Sequence, residues 1–137
     1  MKRVGFGVLA ALLMVVAVGC DNGSSSPVLA PASSTDTFTG TVPVGGADSH
    51  TFVVAKDGTV NITLTSVGPP ATITMGLGVG TPSGSTCAVS AANAVPAVAN
   101  ASLPFSITLG AGTYCVQLFD IGNQAVDVTY TIIVAHP

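Results

Sequence analysis

From Thr37 onward the chain alternates apolar and polar residues over short runs. Val60, Ile62 and Leu64 alternate with Asn61, Thr63 and Thr65, the pattern of a strand with one face buried and the other in water. The same period of two runs through Phe52 and Val54, through Ile73, Met75, Leu77 and Val79, and through Phe105, Ile107 and Leu109. It returns in Tyr114, Val116 and Leu118, then in Val126, Val128, Tyr130, Ile132 and Val134. Turn signals separate the runs: Gly45-Gly46, Asp57-Gly58, Gly68-Pro69-Pro70, Gly110-Ala111-Gly112 and Gly122-Asn123. Lys56-Asp57-Gly58-Thr59 lies between two alternating runs and predicts a tight hairpin, because Asp and Gly accept positive φ. The stretch from Thr81 to Pro104 breaks the pattern with Ser, Ala, Asn and Pro and reads as a long loop or an irregular edge strand. No helical period with caps follows Thr37. About seven to eight short strands predict an all-β fold, a small antiparallel sandwich of two sheets.

The N-terminal segment is of another kind. Lys2 and Arg3 precede an apolar run from Val4 to Val18, which as a helix would span roughly 23 Å at ~1.5 Å per residue, short of a ~30 Å hydrocarbon core. A charged start, a short apolar run and small residues at its end describe a secretory signal. Ala17-Val18-Gly19-Cys20 resembles the lipobox of bacterial lipoproteins, with Ala17 where that family usually has Leu. The resemblance implies cleavage before Cys20, acyl chains on its sulfur and a further acyl group on its new amine. The alternative is an ordinary secretory signal that ends in cysteine. The expected organisation is a signal peptide over 1–19, lipidated Cys20 and a flexible Ser/Pro/Gly/Ala linker over 20–36, and one domain over 37–137. The implied place is the bacterial cell envelope, facing periplasm or exterior, with the membrane reached through the lipid anchor.

Composition narrows the partners. Beyond the signal the chain has one basic residue, Lys56, against Asp21, Asp36, Asp48, Asp57, Asp120 and Asp127. Nucleic acid is excluded as a partner because phosphate binding needs clustered Lys or Arg, and a polybasic grip on anionic lipid fails for the same reason. With Cys20 lipidated, Cys87 and Cys115 remain as a pair, for which a disulfide is the default in an exported protein. Two buried free thiols, or half of a metal site completed by His50 and His136, are the alternatives.

Catalytic patterns are missing. Asp48 and His50 stand two apart at a strand start, and no strained nucleophile turn such as G-x-S-x-G occurs. The aspartates fall in the linker, in turns or at strand ends, which does not suit a paired-carboxylate site. The reading is therefore not an enzyme, and His136 reads as a solvated terminal residue. No cofactor is expected apart from calcium, for which Asp120, Asn123 and Asp127 supply suitable ligand types around one turn. Asp and Asn equally serve to make turns, and the spacing is not that of an EF-hand loop.

A wider resemblance rests on Gly40-Thr41, Asp48-Ser49-His50-Thr51-Phe52, Gly58-Thr59-Val60, Leu109-Gly110-Ala111-Gly112-Thr113-Tyr114, Asp120-Ile121-Gly122-Asn123 and Tyr130-Thr131-Ile132. In order and spacing these resemble the bacterial pre-peptidase C-terminal domain family over about residues 37–136. That resemblance implies a jelly-roll-like sandwich. Members are often appended to secreted peptidases, and some bind polysaccharide, matrix protein or calcium. No peptidase segment stands in this sequence, and the family supplies no catalytic residue to carry over.

Three function classes follow: an envelope-anchored, non-catalytic binding module for protein or glycan, a structural or spacer lipoprotein, and an accessory to a secreted hydrolase. An exposed aromatic platform separates the first from the second, since sugar rings stack on aromatic faces. Phe119 points opposite to Tyr114, Val116 and Leu118 by strand parity, which makes Phe119, Asp120 and Asn123 the candidate ligand-binding residues. The anchor itself is testable. Cys20→Ser is expected to abolish incorporation of a fatty-acid label and to release the protein from the membrane fraction. Unchanged membrane retention would argue against the lipobox.

Overall fold

The computed structural model describes residues 33–102 and 104–137. The signal segment, Cys20 and most of the expected linker lie outside the described residues. Eight strands follow in order: β1 (Ser34–Val42), β2 (Ala47–Val54), β3 (Gly58–Gly68), β4 (Met75–Ser83), β5 (Thr86–Ala97), β6 (Phe105–Leu109), β7 (Gly112–Phe119) and β8 (Val128–His136). They form two four-stranded antiparallel sheets, β1-β8-β3-β6 and β2-β7-β4-β5. The first strand thus pairs with the last, the second with the seventh, the third with the sixth and the fourth with the fifth. This nested pairing is the jelly-roll arrangement of eight strands, and the predicted antiparallel sandwich is what the chain forms.

The alternating positions build the core. Val60, Ile62 and Leu64 from β3, Met75, Leu77 and Val79 from β4, Val116 and Leu118 from β7, and Val128, Tyr130, Ile132 and Val134 from β8 are all buried between the sheets. A register shift between Leu64 and Ser66 advances the parity of β3, so that Val67 rather than Ser66 turns inward. Burying each of these aliphatic side chains stabilises by roughly 1.5–3 kcal/mol relative to exposure.

Connectivity corrects the hairpin expected at Lys56-Asp57-Gly58-Thr59. β2 and β3 belong to different sheets, and this turn carries the chain across the core. Asp57 fixes the crossing instead of a hairpin, since its Oδ1 accepts the Ala111 N–H at 2.8 Å and so joins the β2–β3 connection to the β6–β7 connection. Of all the connections only β4–β5 stays within one sheet.

The stretch Thr81–Pro104 is mostly strand, and the edge-strand alternative holds over the loop. β4 runs on to Ser83, Gly84 turns the chain at φ 61°, and β5 forms the edge. Its register steps from Gly78↔Ala94 to Gly80↔Val89, so Ser90–Asn93 bulge out and hide the period of two. Two further boundaries shift. β1 begins at Ser34, inside the expected linker, and Val126 precedes β8 and stands exposed.

β4 is buried on both faces from Met75 to Gly80. Its inward residues are aliphatic, and its outward ones are Gly76, Gly78 and Gly80, each covered from outside. The Phe119 ring lies on Gly76, the Val89 side chain and Asn93 carbonyl on Gly78, and the Ala88 backbone on Gly80. At Gly80 β5 rides over its neighbour. That fold-over brings Cys87 of β5 to Cys115 of β7, which form a disulfide with a Cα–Cα distance of 5.8 Å. In a flat sheet two strand spacings would separate them by roughly 9.5 Å. Closing this loop of 28 residues' separation stabilises by roughly 3.5 kcal/mol in the chain-entropy model.

Gly80→Ala tests the fold-over. Its Cβ would overlap the Ala88 carbonyl, a backbone atom held by the disulfide beside it. The expected loss of stability is about 1–3 kcal/mol, read from chemical denaturation of the oxidised protein, and a neutral result would mean that β5 does not lie on Gly80.

Candidate binding surface

The registers place Val42 opposite Val128, Gly68 opposite Thr129, Ala47 opposite Phe119 and Met75 opposite Ala97. Connections 43–46, 69–74, 98–104 and 120–127 therefore gather at one end of the sandwich, here the distal end. Ser33, Pro137 and the connections at 55–57, 84–85 and 110–111 gather at the other, proximal end.

Asp120 organises the distal end. Its carboxylate accepts the N–H of Gly45 at 2.8 Å, of Gly122 at 2.8 Å, of Asn123 at 3.1 Å and of Gln124 at 3.3 Å. These donors, Gly45 foremost, hold the Asp120 carboxyl below its ordinary value of 3.8, with partial desolvation acting the other way. Asp127 Oδ1 accepts the Val44 N–H at 3.1 Å, and the Asp120 N–H donates to the Gly46 carbonyl at 3.0 Å. The Asn123 amide donates to the Thr74 carbonyl at 2.9 Å, and the Gln124 amide donates to the carbonyls of Val42 and Val126. Among the described residues Gln124 Oε1 is buried without a partner.

Asp120 and Asn123 thus stand beside Phe119, as strand parity and the following turn predict, but their side chains hold backbone. The calcium expectation meets the same geometry. Four backbone N–H groups donate to the Asp120 carboxylate, so its oxygens are engaged in holding the turn. Among the described residues no three His, Cys, Asp or Glu side chains converge on a metal-sized space.

Phe119 is the candidate that remains open. It projects from the outer face of the β2-β7-β4-β5 sheet, half-buried, with its ring on Gly76. Beside it runs a shallow depression of about 340 Å³ lined by Val89, Ser90, Ala91, Ala94, Gln117 and Phe119. No charged residue lines it. Sequence reading missed the glycine row, although Gly76, Gly78 and Gly80 occupy the positions between the counted apolar residues.

The two lateral edges differ. Between β1 and β2, Tyr130 Oη donates to Asp48 Oδ2 at 2.8 Å and pairs with His50 Nε2 at 3.0 Å, while the His50 ring stacks on Phe38 at 4.9 Å. Burial first, then the bond and charge of Asp48, push the Tyr130 hydroxyl well above its ordinary range, so it stays protonated as the donor. Gly40 leaves the room, since a Cβ there would overlap the Asp48 carboxylate. Among the described residues no Ser, Thr or Cys side chain bonds to this Asp-Tyr-His chain, which closes the seam between the sheets. His136 corrects its solvated expectation: it is 6% exposed, bonded to Asp36 Oδ2 at 3.1 Å and tilted against Phe52. The reason is that β8 runs to His136 and pairs it with Ser34. At the opposite edge an apolar cleft of about 420 Å³ opens between β5 and β6, lined by Leu64, Leu77, Val95 and Phe105 among others.

No protein-family model matches the chain, and no curated protein matches it. No helix among the described residues is long and apolar enough to cross a membrane.

Linkage at Asp120 gives a pH prediction. Because its folded-state value is lowered, its contribution is present above about pH 4 and is lost as pH falls through the folded value. The thermal midpoint of Asp120→Asn should therefore lie below that of the unmodified protein at pH 7, and the two should converge as pH falls through the lowered folded-state value. A gap independent of pH would remove the carboxylate's charge from the account.

Proposed function

We propose that this chain is a non-catalytic binding module of the bacterial cell envelope, anchored through Cys20, and that the depression beside Phe119 takes a glycan. One observation carries the ligand class. An aromatic ring stands half-open at the side of an uncharged trough whose walls supply the Gln117 amide and the Ser90 hydroxyl. A sugar ring offers an apolar C–H face to an aromatic and hydroxyl groups to an amide, and an uncharged trough favours a neutral saccharide. The jelly-roll order of the strands and the resemblance to pre-peptidase C-terminal domains support the same reading. The absence of a nucleophile in the Asp48-Tyr130-His50 chain supports a binding role over a catalytic one.

The soluble Cys20→Ser protein is to be titrated calorimetrically with a panel of neutral cell-wall and extracellular polysaccharides. Phe119→Leu keeps an apolar cover on Gly76 and removes the aromatic face. It should weaken binding by about 1 kcal/mol, roughly fivefold, with little change in the thermal midpoint. Absence of binding by the unmodified protein to every polysaccharide of the panel would remove the glycan reading.

A further inference from the structure

The distal loops carry a second surface, separate from the trough. Five large apolar side chains are exposed among the described residues: Val44, Val53, Val98, Ile121 and Val126. Four of them stand on distal connections, and Val53 alone lies toward the proximal end of β2. Single exposed valines need no explanation, but these are not scattered. The Val44 N–H meets Asp127, the neighbour of Val126, and the Gly45 N–H meets Asp120, the neighbour of Ile121. Val44, Ile121 and Val126, exposed by 52%, 49% and 50%, therefore share one patch.

The patch is also cross-tied by hydrogen bonds. Asp120, Asp127 and Gln124 lace the β1–β2 and β7–β8 connections together, and Asn123 ties them to Thr74 of the β3–β4 connection. A surface already ordered loses little entropy on binding. The described chain enters at Ser33 at the proximal end, so the patch lies at the end of the sandwich opposite that entry.

We propose that this distal patch docks a protein partner whose contact surface combines aliphatic side chains with Lys or Arg. Charge selects that occupant. Asp120 and Asp127 lie within the patch, the four distal connections contain no Lys or Arg, and Lys56 is on the proximal β2–β3 connection. Two copies meeting by this end would set carboxylates against carboxylates, and an anionic lipid surface would be repelled in the same way. Val44, Ile121 and Val126 offer no aromatic face to a sugar. A cationic, aliphatic protein surface satisfies both the charge and the apolar area.

The test uses the full chain in living cells of its native host, with Ile121→benzoylphenylalanine as photocrosslinker and Val53→benzoylphenylalanine as control. Ile121 should yield one dominant adduct with another protein, absent from the control, joined at a peptide that carries Lys or Arg beside aliphatic residues. With that protein purified, the Val44→Ser/Val126→Ser double variant should bind it about tenfold more weakly at an unchanged thermal midpoint, and added salt should weaken binding. Phe119→Leu should leave this affinity unchanged, which separates the patch from the glycan trough. No adduct at Ile121, an adduct between two copies or with lipid, equal labelling at Val53, or binding insensitive to salt would each overturn the proposal.

Discussion

The layer of aliphatic side chains between the two sheets is the constraint on which the rest of the molecule depends. Neither four-stranded sheet can bury its apolar face alone, and nearly every connection hands the chain from one sheet to the other. Separating the layers would therefore expose the whole row from Val60 to Val134 at once. The edges of this layer are closed by different chemistry. The β1–β2 side uses the Phe38, His50, Tyr130 and Asp48 chain, in which the Tyr130 hydroxyl bonds both Asp48 Oδ2 and His50 Nε2. The β5–β6 side remains a cleft into the core.

The period of two is enough to identify the faces of six strands, β2, β3, β4, β6, β7 and β8, because inward residues must be apolar whichever sheet a strand joins. It carried no information on sheet membership. Asp57-Gly58 marks a reversal of the chain, yet the same residues serve a hairpin and a crossing, and only the contact with Ala111 separates them. β5 was harder to read because an edge strand with a bulge buries few side chains. Its own Ala, Ser and Asn residues resemble a loop, and its cover over β4 is made partly of backbone. His136 was misjudged because its neighbour in space is Asp36, a hundred residues away in sequence.

The candidate surface was legible in the same partial way. Parity put Phe119 on the outer face, and the structure places it there. Asp120 and Asn123 carried the composition of both a ligand site and a turn, and what separates the two is the partner list. Gly45 and Thr74 lie 75 and 49 residues away in the chain, beyond the reach of any local pattern. The exposed valines of the distal connections drew no notice for a similar reason. A valine in a sequence says nothing about its exposure until the neighbouring loops are placed.

The pairing of β1 has a mechanical consequence. This outer strand enters at the proximal end, runs to the distal end and is bonded to β8 from Ser34↔His136 through Val42↔Val128. Its ladder bonds lie perpendicular to the strand axis. Tension applied between the N-terminal segment and a ligand held at the distal loops runs along that axis. Every rung of the ladder then bears load together, in shear, and none can open before its neighbours as in a zipper pulled from one end. Asp36, inward-facing and bonded to His136, adds a side-chain rung at the loaded end. A domain pulled from its base while gripped at its tip is braced along the direction in which the force arrives.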